Sequence, residues 1–103
     1  MQLIDAGQWQ ALASGLPHWQ YQPARGGSIC RELLFDDFVQ AFSFMTRVAL
    51  LAEKQGHHPD WWNAYNRVRI ELRTPDVGGL SSRDLALAQA IAPAYPAMPA
   101  STG

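Results

Sequence analysis

Arg67-Val68-Arg69-Ile70-Glu71-Leu72-Arg73 alternates charged and apolar side chains without a break. A period of two marks a strand with one buried and one wet face. Val68, Ile70 and Leu72 therefore turn toward a core, and Arg67, Arg69, Glu71 and Arg73 turn away from it. Upstream, Trp62 to Tyr65 reads as a second strand, joined to the first by a tight Tyr65-Asn66 corner. Arg67, Arg69 and Arg73 on one face form a candidate docking ladder for a carboxylate-rich partner. The same pattern also describes an ordinary solvated strand face.

A second hairpin precedes this one. Trp19 and Tyr21 alternate with Gln20 and Gln22, Arg25-Gly26-Gly27 supplies the turn, and Ile29, Leu33 and Phe35 take alternate positions on the next strand. Between the hairpins, Asp36 or Asp37 starts a long helix that Gly56 ends. Phe38, Phe42, Met45, Ala49 and Ala52 recur at four-three spacing, which predicts that they face the sheet. On that assignment Phe44 and Leu51 emerge on the opposite face with Leu50 at its margin, and predict an oligomer interface.

Asp5 caps a short first helix over residues 6 to 14. Ser81 and Asp84 form a capping box for the last one, which Leu85, Leu87, Ala88 and Ile91 extend and Pro93 and Pro96 stop. The order α-β-β-α-β-β-α predicts an α+β fold, a four-stranded antiparallel sheet covered by helices on one face. A single domain is expected over residues 1–97, with a disordered tail over 98–103.

Composition narrows the function. A chain of 103 residues with 48% hydrophobic residues has a modest core, a size that favours oligomers. A net charge of −1 provides no basic field for direct nucleic-acid binding. With one cysteine, Cys30, there is no intramolecular disulfide framework, and its apolar flanks predict a packed thiol. Neither a signal pattern nor a membrane-length apolar run is present, so the cytoplasm is the expected compartment. The three histidines lack metal-ligand spacing, and no metal is expected.

Chemistry concentrates in Glu53-Lys54-Gln55-Gly56-His57-His58-Pro59-Asp60-Trp61-Trp62, just beyond the long helix. Histidine ionises near neutrality, so an imidazole pair beside indoles suits proton movement on a flat heterocycle. A polar helix-to-strand loop is the plainer reading of these ten residues.

The runs Phe42-Ser43-Phe44-Met45-Thr46-Arg47-Val48-Ala49-Leu50, Ala52-Glu53-Lys54, His57-His58-Pro59-Asp60-Trp61, Asn63-Ala64-Tyr65-Asn66-Arg67-Val68 and Gly79-Leu80-Ser81-Ser82-Arg83-Asp84 together resemble the pterin-4a-carbinolamine dehydratase family. The resemblance implies the same α+β architecture and removal of water from 4a-hydroxytetrahydropterin, with no metal or organic cofactor. It implies that His57 is an acid/base group, that His58 holds or polarises the substrate, and that Asp84 orients or balances the site. It further implies Glu53 on the rim, Trp61 against the ring system and Arg83 guiding the polar substrate. Helix cap, core residue and solvated first-turn residue are the alternative readings of Asp84, Trp61 and Arg83. The Gly78-Gly79 turn is expected to let backbone approach a ligand closely.

Where the family places its remaining catalytic histidine, in Thr-His-(Asp or Glu), this chain has Thr74-Pro75-Asp76. Proline neither gives nor takes a proton. Two classes follow from the resemblance: a pterin dehydratase with weak or absent activity, or a non-catalytic assembly protein like the degenerate bacterial members that help assemble RuBisCO in α-carboxysome systems. For the second class, carboxysome association is the expected location. A homodimer or tetramer is implied for both.

Overall fold

A computed structural model describes residues 1–95. Seven regular elements follow in the expected order: α1 (Ala6–Leu12), β1 (Gln20–Gln22), β2 (Ser28–Leu34), α2 (Phe38–Gln55), β3 (Asp60–Ala64), β4 (Arg67–Leu72) and α3 (Ser82–Ile91). Short 3-10 turns occupy Ala13–Gly15, Ala24–Gly26, Pro75–Val77 and Ala92–Ala94. The expected tail at 98–103 and the domain limit at 97 lie outside the described residues.

The four strands form one antiparallel sheet in the order β1-β2-β4-β3. Helix α2 and its flanking loops thus carry the chain from β2 across to β3, leaving a slot that β4 fills. Register follows the alternation of β4: Leu72 pairs with Ile29, Ile70 with Arg31 and Trp61, and Val68 with Leu33 and Asn63. Ile29, Leu33, Val68, Ile70 and Leu72 join one core with Ala41, Phe44, Val48 and Ala52 of α2 and Leu87, Ala88 and Ile91 of α3. The helices therefore cover one face of the sheet, and the other carries exposed Gln20, Glu32, Leu34, Arg67 and Arg69.

The buried face of α2 is rotated from the one its apolar spacing predicts, and of the residues expected there only Ala52 is fully buried. Ala41, Phe44, Val48 and Ala52 are buried, whereas Phe38, Phe42 and Ala49 are exposed and Met45 is half-buried. Phe44 is 0% exposed and packs against Phe35 in a tilted arrangement with ring centroids 5.1 Å apart. It therefore cannot belong to an oligomer interface. Leu51 is half-buried against the core, and of the three interface residues expected only Leu50 is largely exposed. Two apolar stripes lie roughly a quarter-turn apart on this helix. The one with the small residues Ala41 and Ala52 sits closest to the sheet, and the bulkier Phe38–Phe42 pair stays outside.

Both hairpin turns use positive-φ backbone. Arg25 (φ 56°), Gly26 and Gly27 turn the first hairpin, and Tyr65 (φ 52°) turns the second. Asn66 fastens that corner to the end of β2: its side-chain amide donates to the Phe35 carbonyl at 2.9 Å, and its own carbonyl accepts from the Phe35 amide at 2.8 Å.

Candidate active site

Helix α2 ends in a way that delivers His57. Gly56 adopts φ 63°, which costs glycine nothing, and the His57 amide folds back to donate to the Ala52 carbonyl at 3.1 Å. This satisfies a carbonyl of the last helical turn. Ala52 is core, so the His57 backbone is fixed to the protein interior. Its ring is 6% exposed and meets Asp84 through Nε2 and Oδ1 at 2.5 Å.

Asp84 reaches that position from the first turn of α3. Its Oδ2 accepts from the Ser81 amide at 2.9 Å, completing the capping box expected from the sequence. One carboxylate oxygen thus serves the helix cap while the other meets His57. The Thr74 hydroxyl also donates to Oδ2, at 2.8 Å, and lies 2.6 Å from the Ser81 hydroxyl. Thr74, Ser81 and Asp84 are all buried. Three segments therefore meet at one network: the end of α2, the loop after β4 and the start of α3.

Sequence reasoning singled out His57, Ser81 and Asp84 but missed Thr74. Its hydroxyl comes from a residue next to Pro75, and strand alternation stops at Arg73. The available signal was its place in Thr74-Pro75-Asp76, beside the position that the family resemblance had singled out. Pro75 itself opens the 3-10 turn Pro75–Val77 and is exposed. Thr74 has extended backbone, as a residue before proline prefers, and its amide donates to the Gly79 carbonyl at 2.7 Å.

The other expected site residues are more dispersed. His58 is exposed, and its Nε2 lies 2.6 Å from Glu53 Oε1, also exposed. Trp61 lies on the inner face of β3 opposite Ile70, partly buried against the core. Its neighbour Trp62 is half exposed on the outer face, with the Arg67 guanidinium 5.6 Å from its ring centroid. Arg83 is exposed and gives its backbone amide to Ser81 Oγ at 3.2 Å. Among the described residues, no group of three or more His, Cys, Asp or Glu side chains is placed to hold a metal ion.

Two sequence expectations need correction. The Gly78-Gly79 turn does approach another backbone closely, but that backbone is Gly26: a Cβ on Gly79 would stand 2.2 Å from the Gly26 carbonyl oxygen. Intramolecular packing therefore fills the close approach expected for a ligand. The three-arginine ladder is also broken. Arg73 lies past the end of β4, half-buried, with its Nε donating to the Arg25 carbonyl at 2.9 Å. Only Arg67 and Arg69 remain on the exposed face of β4, and Arg69 Nη2 lies 3.6 Å from Cys30 Sγ. Burial, followed by the nearby Glu71 carboxylate, pushes the Cys30 thiol up from its ordinary range and disfavours a thiolate.

The chain is similar to known proteins along most of its length. The family model for pterin 4 alpha carbinolamine dehydratase matches residues 2–94. A pterin-4-alpha-carbinolamine dehydratase-family protein of Rhizorhabdus wittichii is 58% identical over 89 residues, covering 86% of this chain and 90% of its own. One from Synechococcus sp. strain WH7803 is 52% identical over 89 residues, 86% and 92% of the two chains. Among solved structures, the transcriptional coactivator/pterin dehydratase of Brucella melitensis superposes with a TM-score of 0.83 at 36% identity, over 89% of this chain and 97% of its own. A pterin dehydratase-like protein identified as a RuBisCO assembly factor in the alpha-carboxysome shares the fold, with a TM-score of 0.65 at 22% identity over 75% and 88% of the chains. The match along nearly the whole described length, with relatives more than half identical, means that the chain belongs to the pterin 4 alpha carbinolamine dehydratase family.

Proposed function

We propose that the chain binds a 4a-hydroxytetrahydropterin and dehydrates it slowly, with half of the usual acid/base apparatus. The observation that carries this reading is the buried 2.5 Å contact between His57 Nε2 and Asp84 Oδ1; the expectation of half an apparatus comes from Pro75, at the position where the family resemblance implies a histidine.

The reaction is an elimination without net oxidation. The carbon–oxygen bond at C4a breaks, and the hydroxyl leaves with an added proton as water. The adjacent ring N–H loses its proton, and its electron pair forms the C=N bond of the quinonoid dihydropterin. His57, oriented by Asp84, can take the ring proton and return it to the departing hydroxyl. His58, tied to Glu53, holds or polarises the substrate from the exposed side, with Trp61 against the ring system and Arg83 guiding its polar edge. Each acid/base group typically contributes about a hundred- to ten-thousand-fold. Loss of one partner at position 75 therefore lowers the rate without abolishing it. No cofactor enters this acid/base scheme.

A second reading is a protein-binding or assembly role, favoured by the exposed apolar stripe of Phe38, Val39, Phe42 and Leu50 on α2. Self-association into a dimer or tetramer covers the same stripe. The likeness to the RuBisCO assembly factor carries the fold and leaves the partner to experiment. A cytoplasmic location suits both readings, with carboxysome association specific to the second. No helix among the described residues is long and apolar enough to cross a membrane. The test is dehydration of 4a-hydroxytetrahydropterin by the purified chain against buffer and against His57→Ala. A rate above both supports the dehydratase; a wild-type rate equal to buffer rejects it.

A further inference from the structure

The buried residues His57, Thr74 and Ser81 surround Asp84 in a hydrogen-bond chain whose direction can be worked out. Oδ2 accepts from the Ser81 amide and from the Thr74 hydroxyl, at 2.9 and 2.8 Å. A hydroxyl has one proton to donate. Thr74 uses its proton on Asp84, so the 2.6 Å contact between Thr74 Oγ1 and Ser81 Oγ is donated by Ser81. Ser81 Oγ accepts in turn from the Arg83 amide at 3.2 Å. Polarity runs one way, from Arg83 through Ser81 and Thr74 to Asp84. Oδ2 is thus an acceptor twice over, and a carboxylate can only accept. In a neutral imidazole facing that carboxylate, the proton in the contact with Oδ1 is donated by His57 Nε2, and Nδ1 is the nitrogen with the lone pair.

We propose that Thr74 and Ser81 are positioning residues that act through Asp84 to fix His57 as the Nε2–H tautomer, making Nδ1 the atom that exchanges a proton with the substrate. Helix capping accounts for the Ser81 amide on Asp84. It does not account for Thr74, which comes from the loop after β4, ten residues before Asp84, and has no unpaired amide of α3 to serve. A buried hydroxyl at that position is costly unless fully paired, and here it is paired on both sides. The identity of the substrate rests on the dehydratase reading; the tautomer is a property of the free protein.

The test is a two-bond ¹⁵N–¹H correlation spectrum of the histidine rings in the ligand-free, ¹⁵N-labelled chain at neutral pH. The expected spectrum assigns His57 to a single Nε2–H tautomer. A predominant Nδ1–H tautomer in the wild-type chain overturns the proposal, whatever any variant does. Thr74→Val keeps the side-chain shape and removes the donor; the expected result is a mixed tautomer population, with Thr74→Ser restoring the wild-type pattern. Thr74→Val with an unchanged pattern removes Thr74 from the proposal's chain and overturns it. In turnover, Thr74→Val is expected to lower kcat about tenfold at unchanged KM, again rescued by serine. An intact Nε2–H signal in a chain that neither binds nor turns over pterin leaves the tautomer assignment standing and rejects the dehydratase reading instead.

Discussion

Gly26 and Gly78 pack backbone against backbone, so closely that a Cβ on Gly26 would lie 1.8 Å from the Gly78 carbonyl oxygen. The contact presses the turn of the first hairpin onto the loop that carries Thr74 and Pro75. Gly26 also has φ 83°, where a side chain is strained regardless of space. Gly26→Ala is therefore expected to destabilise the fold by at least about 1–2 kcal/mol from the backbone alone, with the clash adding to it. A urea titration checks this: the midpoint should fall at unchanged slope, and an unaltered midpoint would mean that the two loops separate at little cost.

Phe44 and Phe42 lie two residues apart on α2, with opposite exposures of 0% and 55%. Phe44→Ala is expected to cost about 3–5 kcal/mol, the usual range for emptying a buried aromatic site. Phe38→Gln with Phe42→Gln should leave the thermal midpoint of the isolated subunit nearly unchanged and shift the oligomer toward smaller species. Light scattering at micromolar concentration reads the second effect. A double variant with the wild-type mass would show that this stripe is not the association surface.

Glu71 links stability to pH. Its carboxyl is held below the ordinary range chiefly by the Ser28 hydroxyl, which donates at 2.6 Å; burial opposes this, and Arg25 at 3.2 Å and Arg69 reinforce it. A folded-state value below the unfolded one means that the folded chain holds its proton less tightly. The resulting stability is fully present above the unfolded pKa, about 4.3, and is lost as pH falls through the lower folded value. Glu71→Gln should flatten the acid limb of a plot of denaturation midpoint against pH. An acid limb as steep as that of the wild-type chain would assign the dependence to other carboxylates.

The hairpins and helix ends were legible because each rests on local chemistry. The alternation of Val68, Ile70 and Leu72 fixed the β4 register, Asp5 and the Ser81–Asp84 pair capped their helices, and Gly56 ended α2. The buried face of α2 was not legible from spacing. Both Phe38/Phe42/Met45/Ala49 and Ala41/Phe44/Val48/Ala52 satisfy helical periodicity, and choosing between them depends on how close the backbone comes to the sheet. The same distinction applies at the site. His57 and Asp84 stood out as residue types in motifs, whereas Thr74 joins them only because the loop after β4 folds back to pair with Gly79. That bridge spans only five residues, but whether it brings the Thr74 hydroxyl to Asp84 depends on how the loop packs against α3, which strand alternation does not encode.

Position 75 gives the most direct measurement of the central claim, that the chain keeps one working acid/base group and lacks another. Pro75 is exposed at the start of a 3-10 turn and has no amide proton to lose from the fold, so Pro75→His is expected to be tolerated. Initial rates of 4a-hydroxytetrahydropterin dehydration should be compared for the wild-type chain, Pro75→His and His57→Ala at neutral pH. The account predicts a slow wild-type rate, an increase of about tenfold or more in Pro75→His, and a fall to the uncatalysed rate in His57→Ala. A wild-type rate equal to that of Pro75→His, or undiminished by His57→Ala, would contradict it.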